Sequence, residues 1–259
     1  MAAAMVGLTA SAQTPALRDY VDEYGINHGK GVLIGELIWA PVNCGYHAKM
    51  YPYGKLYQWG RKTGQGYGYP NSKDKPNENA EFADVNGKKV VFIEEPPESV
   101  AAGQSKANEH IFYYSQCNTN PFNWIRNRAV SWNVGNWYDP AKSKRDDPCP
   151  EGWRVPMTDE ARWMMKYHSE FVERDEMGRG GMWFYNTPNY TPGTPRIFLP
   201  AAGEREWHDG ESQGRNYLGI YWTSDWNGTF VVNDGGNAGI GPAKYAAYGF
   251  AVRCVQEDY

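Results

Sequence analysis

The sequence predicts an α+β fold in which one main helix is followed by short antiparallel strands and long irregular loops. The helix signal lies after Pro156. Thr158 stands where an N-cap belongs, Asp159 and Glu160 fill the first turn, and Ala161, Met164, Met165, His168 and Phe171 repeat at i, i+3, i+4 spacing. The strand signal follows in "MWFYN", "RIFLPAAGERE", "GIYWTSDW", "TFVVND" and "YGFAVRCVQ", each apolar or aromatic and each bounded by Gly, Pro or Asn. A helix followed by a run of such strands places the chain in the α+β class.

Taken in order, "MAAAMVGLTASAQ" is a short apolar run ending in Ala10-Ser11-Ala12, the small-x-small pattern of a secretory cleavage point, although no basic residue precedes Arg18. Residues 1–18 are therefore expected to be a leader, and residues 19–259 a single domain. "KGVLIGELIWAPVN" reads as two short strands about Gly35, and the Gly-, Tyr- and Pro-rich segment from Cys44 to Pro70 as packed turns. Residues 71–148 are polar and rich in breakers, apart from the strand-like "KKVVFIEEPP", and are expected to be a variable insertion. In the helix, Ala161 occupies the fourth capping-box position if Thr158 is the cap. That leaves the box incomplete, and Glu160 reads as a helix-start carboxylate rather than a catalytic acid.

Composition narrows the function. A chain of 259 residues, 41% hydrophobic, can bury a substantial core. A formal charge of −4 offers no broad basic footprint for nucleic acid or anionic membrane, and no run reaches the length of a membrane span. Aromatic residues are abundant, with 11 Trp and 19 Tyr, and such rings suit shallow cores and sites for sugars or proteins. The five histidines are scattered and no CxxC spacing occurs, so neither a local zinc site nor any cofactor is implied. With export, the four cysteines Cys44, Cys117, Cys149 and Cys254 favour two disulfides among three possible pairings. Sequence alone does not choose. Cys149 with Cys254 is preferred because each adjoins a strongly patterned element.

"DPCPEGWRVPMTDE", "FLPAAGER", "GIYWTS" and "YGFAVRCVQ", with "IWAPVNCGY" and "YGKLYQWGR" upstream, resemble the Fibrobacter succinogenes major paralogous (FISUMP) domain of Bacteroidota surface and fimbrial-tip-type proteins. The resemblance runs from about Lys30 to Gln256 and is weakest in the middle. It implies a C-type lectin-like fold in which Cys149 anchors the helix segment to the last strand through Cys254. Pro156 would then fix the turn, Trp153 and Trp222 would be core, and Arg253 would pair with a carboxylate or cap backbone carbonyls. It does not carry over a calcium-dependent sugar site: Trp226-Asn227-Gly228 lacks the carboxylate of that triplet, and "NDGGNAG" lacks EF-hand spacing.

The expected function is a non-catalytic, extracellular binding module, secreted or held at the cell surface, for a glycan or a partner protein. The alternative is a structural subunit or cap among fimbrial subunits. Two enzymatic readings are weaker. Glu204, Glu206, Asp209 and Glu211 near Trp207 could suit glycoside chemistry but fit a solvated loop better, and a formylglycine-generating site would need a close cysteine pair. Ligand contacts are expected from loops Tyr51 to Tyr69, Asn123 to Tyr138 and Arg205 to Asn216, with Trp207, Asp209, Asp225, Trp226 and Asn227 as the named residues.

Overall fold

The structure is a computed structural model that describes residues 16–67, 88–94, 97–114, 124, 146–187, 190–226 and 228–257. Most of the leader, Cys117, Asn227 and, apart from Trp124, the stretch Asn123 to Tyr138 lie outside the described residues.

The α+β expectation, and with it the C-type lectin-like architecture of one main helix, is corrected. The described chain is mostly β. Its two α-helices are α1 (Val100–Gly103) and α2 (Thr158–Met164), four and seven residues long. The strands pair almost entirely antiparallel in six small sheets.

Helix α2 begins one residue earlier than the cap rules suggest. Met157 is the N-cap residue, so Glu160 is the third helical residue, and its Oε2 accepts the Met157 N–H at 2.7 Å. The helix then stops where the predicted apolar face continues. His168–Val172 is instead strand β10, paired with β11 (Gly181–Tyr185) over five residues. The turn between them explains the change: Asp175 Oδ1 accepts the backbone N–H of Met177 and Arg179, its Oδ2 binds the Arg179 guanidinium, and Gly178 has φ +77°. A hairpin closed by that Asx turn satisfies the backbone of Ser169 to Val172 in strand pairing and overrides the helical periodicity.

Other strands form where the apolar runs place them. β3 (Val32–Ile34) and β4 (Leu37–Trp39) fold back at Gly35, whose φ of +68° favours glycine. β4 pairs with the last strand, β19 (Val255–Gln256), which also pairs with β9 (Trp153–Arg154). The β3–β4 hairpin, β9 just after the Cys-Pro segment and the C-terminal strand are thus one sheet. The Cys149–Cys254 disulfide, spanning 105 residues, closes beside it. A loop of that length stabilises by roughly 4.7 kcal/mol in the chain-entropy model.

The segment expected to be turns contributes β5 (Leu56–Gln58) and β6 (Gly64–Gln65). They join β18 (Gly249–Phe250), β13 (Glu204–Arg205) and β14 (Ser212–Gln213) in the order β14-β13-β18-β5-β6. β12 (Arg196–Pro200) extends the β10-β11 hairpin, while β15 (Leu218–Trp222), β16 (Thr229–Asn233) and β17 (Ala238–Ile240) form a meander. β7 (Val91–Ile93) and β8 (Ile111–Tyr113) are parallel, and their crossover carries α1 and a 3₁₀ turn at Lys106–Asn108. β1 (Asp19–Val21) and β2 (Asn27–Lys30) complete the N-terminal end.

Two apolar cores result. One gathers Tyr57, Trp153, Trp222 and Phe250 around the disulfide. The other packs Trp39, Met164, Phe184, Tyr221 and Phe230. Fully burying such side chains contributes about 1.5–3 kcal/mol each. In the first core the indoles keep their polar ends satisfied: Trp222 Nε1 donates to Tyr57 O at 2.6 Å and Trp153 Nε1 to Asp19 O at 3.3 Å, whereas Trp39 Nε1 in the second core is buried with no hydrogen-bond partner among the described residues.

Candidate ligand-binding site

Two arginines and a proline of the quoted motifs are framework. Arg253 is buried and donates to Asn43 Oδ1 at 2.8 Å, to Ala40 O at 2.7 Å and to Phe198 O, so it caps carbonyls and meets no carboxylate among the described residues. Burial lowers its pKa to about 10, which leaves it charged at neutral pH. Arg154 grips Glu160 with both terminal nitrogens, at 2.7 and 2.5 Å, which fixes the start of α2. Pro156 O accepts the Ser224 N–H at 2.7 Å.

The β13–β14 loop is a built turn. Glu206 N–H donates to Glu211 O at 2.7 Å, Gly210 N–H to Glu206 O at 3.1 Å, and Glu211 N–H to Asp209 Oδ1 at 2.9 Å. Arg205, wholly buried against Phe92 and Phe112, ties the loop down through Gly210 O and Gly66 O. This framework holds Trp207 half-buried at the surface. Its ring meets Tyr245 edge to face at 5.5 Å between centroids, and Tyr245 is 40% exposed. Behind Tyr245, Tyr248 and Phe250 stack in turn, at 6.1 and 5.1 Å.

Carboxylates flank those rings. Gln213 Nε2 bridges Glu204 and Glu206. Burial, aided by Glu206 and Glu204, pushes Tyr248 up to about 12, so the phenol stays protonated. Burial raises the pKa of Glu204 as well, with Glu206 adding to the shift and Lys244 opposing it. His208 Nε2 lies 3.1 Å from Asp209 Oδ2. The loop is thus an ordered turn with His208 and Glu211 exposed, and its carboxylates neighbour Trp207 in sequence.

The other named residues sit elsewhere. Trp226 is 37% exposed and leans edge to face on buried Trp59 at 4.8 Å. Asp225 Oδ2 accepts the Thr158 N–H at 2.5 Å, so it serves the start of α2 from a distant loop. Trp124 is buried and donates to Trp59 O at 2.8 Å. Tyr245 and Tyr248 were missed by sequence reasoning, though "YAAY" ahead of β18 is an aromatic pair that a search for ring clusters could have marked.

The larger of two adjoining cavities, about 670 Å³, lies away from these rings. It opens between Tyr20, Lys62, Thr63, Lys106, Glu109 and the Pro148–Glu151 turn. The expected ligand loop Tyr51 to Tyr69 contributes Lys62 and Thr63 to its wall, but the rest of the wall comes from segments far apart in the chain that the sequence pattern did not connect. Cys44 lines it as a buried free thiol, pushed up to about 12 by burial, with Sγ donating to Pro148 O at 3.1 Å. Among the described residues no group of three or more His, Cys, Asp or Glu converges to hold a metal ion. No helix among them is long and apolar enough to cross a membrane.

No protein-family model, curated protein or solved structure matches the chain.

Proposed function

We propose that the chain is a non-catalytic, exported or surface-held module that binds a glycan on the Trp207–Tyr245 face. The observation that carries this reading is the edge-to-face pair of partly exposed rings, held by an ordered loop beside fixed Glu206 and Asp209 carboxylates. A sugar's apolar face stacks on such rings while its hydroxyls donate to the carboxylates, the usual division between an apolar wall and a few polar contacts. The FISUMP-like motifs support a surface role at the level of sequence, without the lectin-like architecture.

The test is a glycan and mucin-glycoprotein array probed with the purified chain, with and without calcium. Retention of a defined glycan in chelator is the expected outcome. Silence on every glycan would favour a structural subunit, and turnover of a retained glycan, lost in Glu204→Gln or Glu206→Gln, would make the module an enzyme.

A further inference from the structure

The connection from β11 to β12 reads "NTPNYTPGTP", in which each threonine is followed by proline and no residue is charged. Its described tip is a tight turn. The Thr194 N–H donates to Thr191 O at 2.9 Å, Pro192 and Gly193 fill the central positions, and Gly193 has φ +91°. Proline second and a positive-φ glycine third match the type II arrangement. Stacked side chains hold the base of the loop. The Arg196 guanidinium lies over Trp183 at 3.9 Å and over Tyr190 at 4.2 Å, and Tyr190 meets Tyr185 at 6.1 Å between centroids.

The tip stands in open solvent. Thr191, Pro192 and Gly193 are exposed, Thr194 is half-buried, and a Cβ added at Gly193 would meet nothing within 4 Å. The two threonine hydroxyls share one hydrogen bond, their Oγ1 atoms 2.9 Å apart. Whichever donates, each oxygen keeps a lone pair for another partner. By contrast, Ser212, Thr223, Ser224 and Thr229 are buried, and the hydroxyls of Ser99 and Ser105 accept backbone N–H groups at 3.2 and 3.3 Å. Proline after each threonine favours extended backbone at that threonine and removes a ladder donor beside it. The turn therefore offers a modifying enzyme accessible hydroxyls on a segment that sheet pairing does not occupy.

Threonine and proline without charge is the composition of O-glycosylated stalks. We infer that Thr191, with Thr194 beside it, is an acceptor for an O-linked sugar. The Thr191 Oγ1 attacks the anomeric carbon of a sugar activated as its phosphate ester. The new C–O bond forms as the anomeric bond to the phosphate oxygen breaks. The phosphate leaves with that electron pair, and the hydroxyl proton passes to a base of the transferase. Because the tip is open, the attached sugar projects into solvent and displaces no buried contact. The inference is independent of ligand binding at Trp207 and Tyr245.

The experiment is glycopeptide mapping of the chain purified from the cells that make it. Trypsin should release Gly180 to Arg196 as one peptide carrying a sugar, which alkaline β-elimination removes and electron-transfer fragmentation places on Thr191 or Thr194. Thr191→Val with Thr194→Val, made in the same cells, should lose the sugar and keep the melting temperature, and Thr191→Ser with Thr194→Ser should retain it. Four results overturn the inference. The peptide is unmodified, it carries a phosphoryl group in place of a sugar, or the sugar survives the double valine change. The fourth is a sugar on Asn189, released by an amidase, since Asn189-Tyr190-Thr191 also fits an N-linked acceptor.

Discussion

Arg253 and Asn43, 210 residues apart in sequence, meet in the core, where the arginine Nε donates to the amide Oδ1 at 2.8 Å. The same guanidinium holds the carbonyls of Ala40 and Phe198, so one cation joins the exit of β4, the middle of β12 and the C-terminal segment.

Replacing Arg253 by Met should therefore strand three buried acceptors and destabilise the fold by about 3 kcal/mol or more. Urea unfolding measures it. Arg253→Lys should recover only part of the loss, because a single ammonium cannot reproduce the planar fork. A loss below about 1 kcal/mol would show that the acceptors find water.

The Cys149–Cys254 bridge should appear directly in non-reducing peptide mapping of the native chain, with both sulfurs in one linked peptide. Cys44, buried and pushed up to about 12, should resist iodoacetamide near neutral pH until the chain is unfolded. Native alkylation of Cys149 or Cys254 would refute the bridge.

Much of the strand pattern was legible because apolar runs bounded by Gly and Pro leave few alternatives, as "KGVLIGELIW" shows around Gly35. The helix was only half legible. Its start could be read from Asp159 and Glu160, but the cap lay one residue earlier, and the far end depended on the Asp175 turn and pairing with β11, neither of which enters helical periodicity. Burial of Trp153 and Trp222 could be inferred from their motifs. The pairing of Trp207 with Tyr245 could not, nor could the engagement of Asp225 with α2, because both join loops distant in sequence. The cavity beside Lys62 and Thr63 was only half legible for the same reason: the loop Tyr51 to Tyr69 was marked for contacts, but the facing Pro148–Glu151 turn was not connected to it.

Glu160 should act as a structural carboxylate. Glu160→Gln keeps the size but loses the charge that Arg154 grips, and should lower stability by about 1 kcal/mol, with a smaller effect at high salt. Thermal unfolding at two ionic strengths checks this, and glycan retention should not change.

Glu204 carries a pH signature. Its folded pKa is raised by burial, so the folded state binds more protons than the unfolded state between the two values. Its contribution favours the fold below the unfolded value near 4.5 and is lost as pH rises through the folded one. Glu204→Gln keeps an acceptor for Gln213 and removes that loss, so the variant should gain stability relative to wild type from acid to neutral pH. Parallel melting curves across that range would contradict the shift.

The most direct measurement is the affinity of the wild-type and Trp207→Ala chains for the glycan retained on the array, by calorimetry, with Tyr245→Ala alongside. Loss of a stacking ring at a hot spot is worth on the order of 2 kcal/mol, so each variant should bind roughly thirtyfold more weakly while melting near the wild-type temperature. Equal affinity in all three chains would contradict the assignment of glycan binding to the Trp207–Tyr245 face.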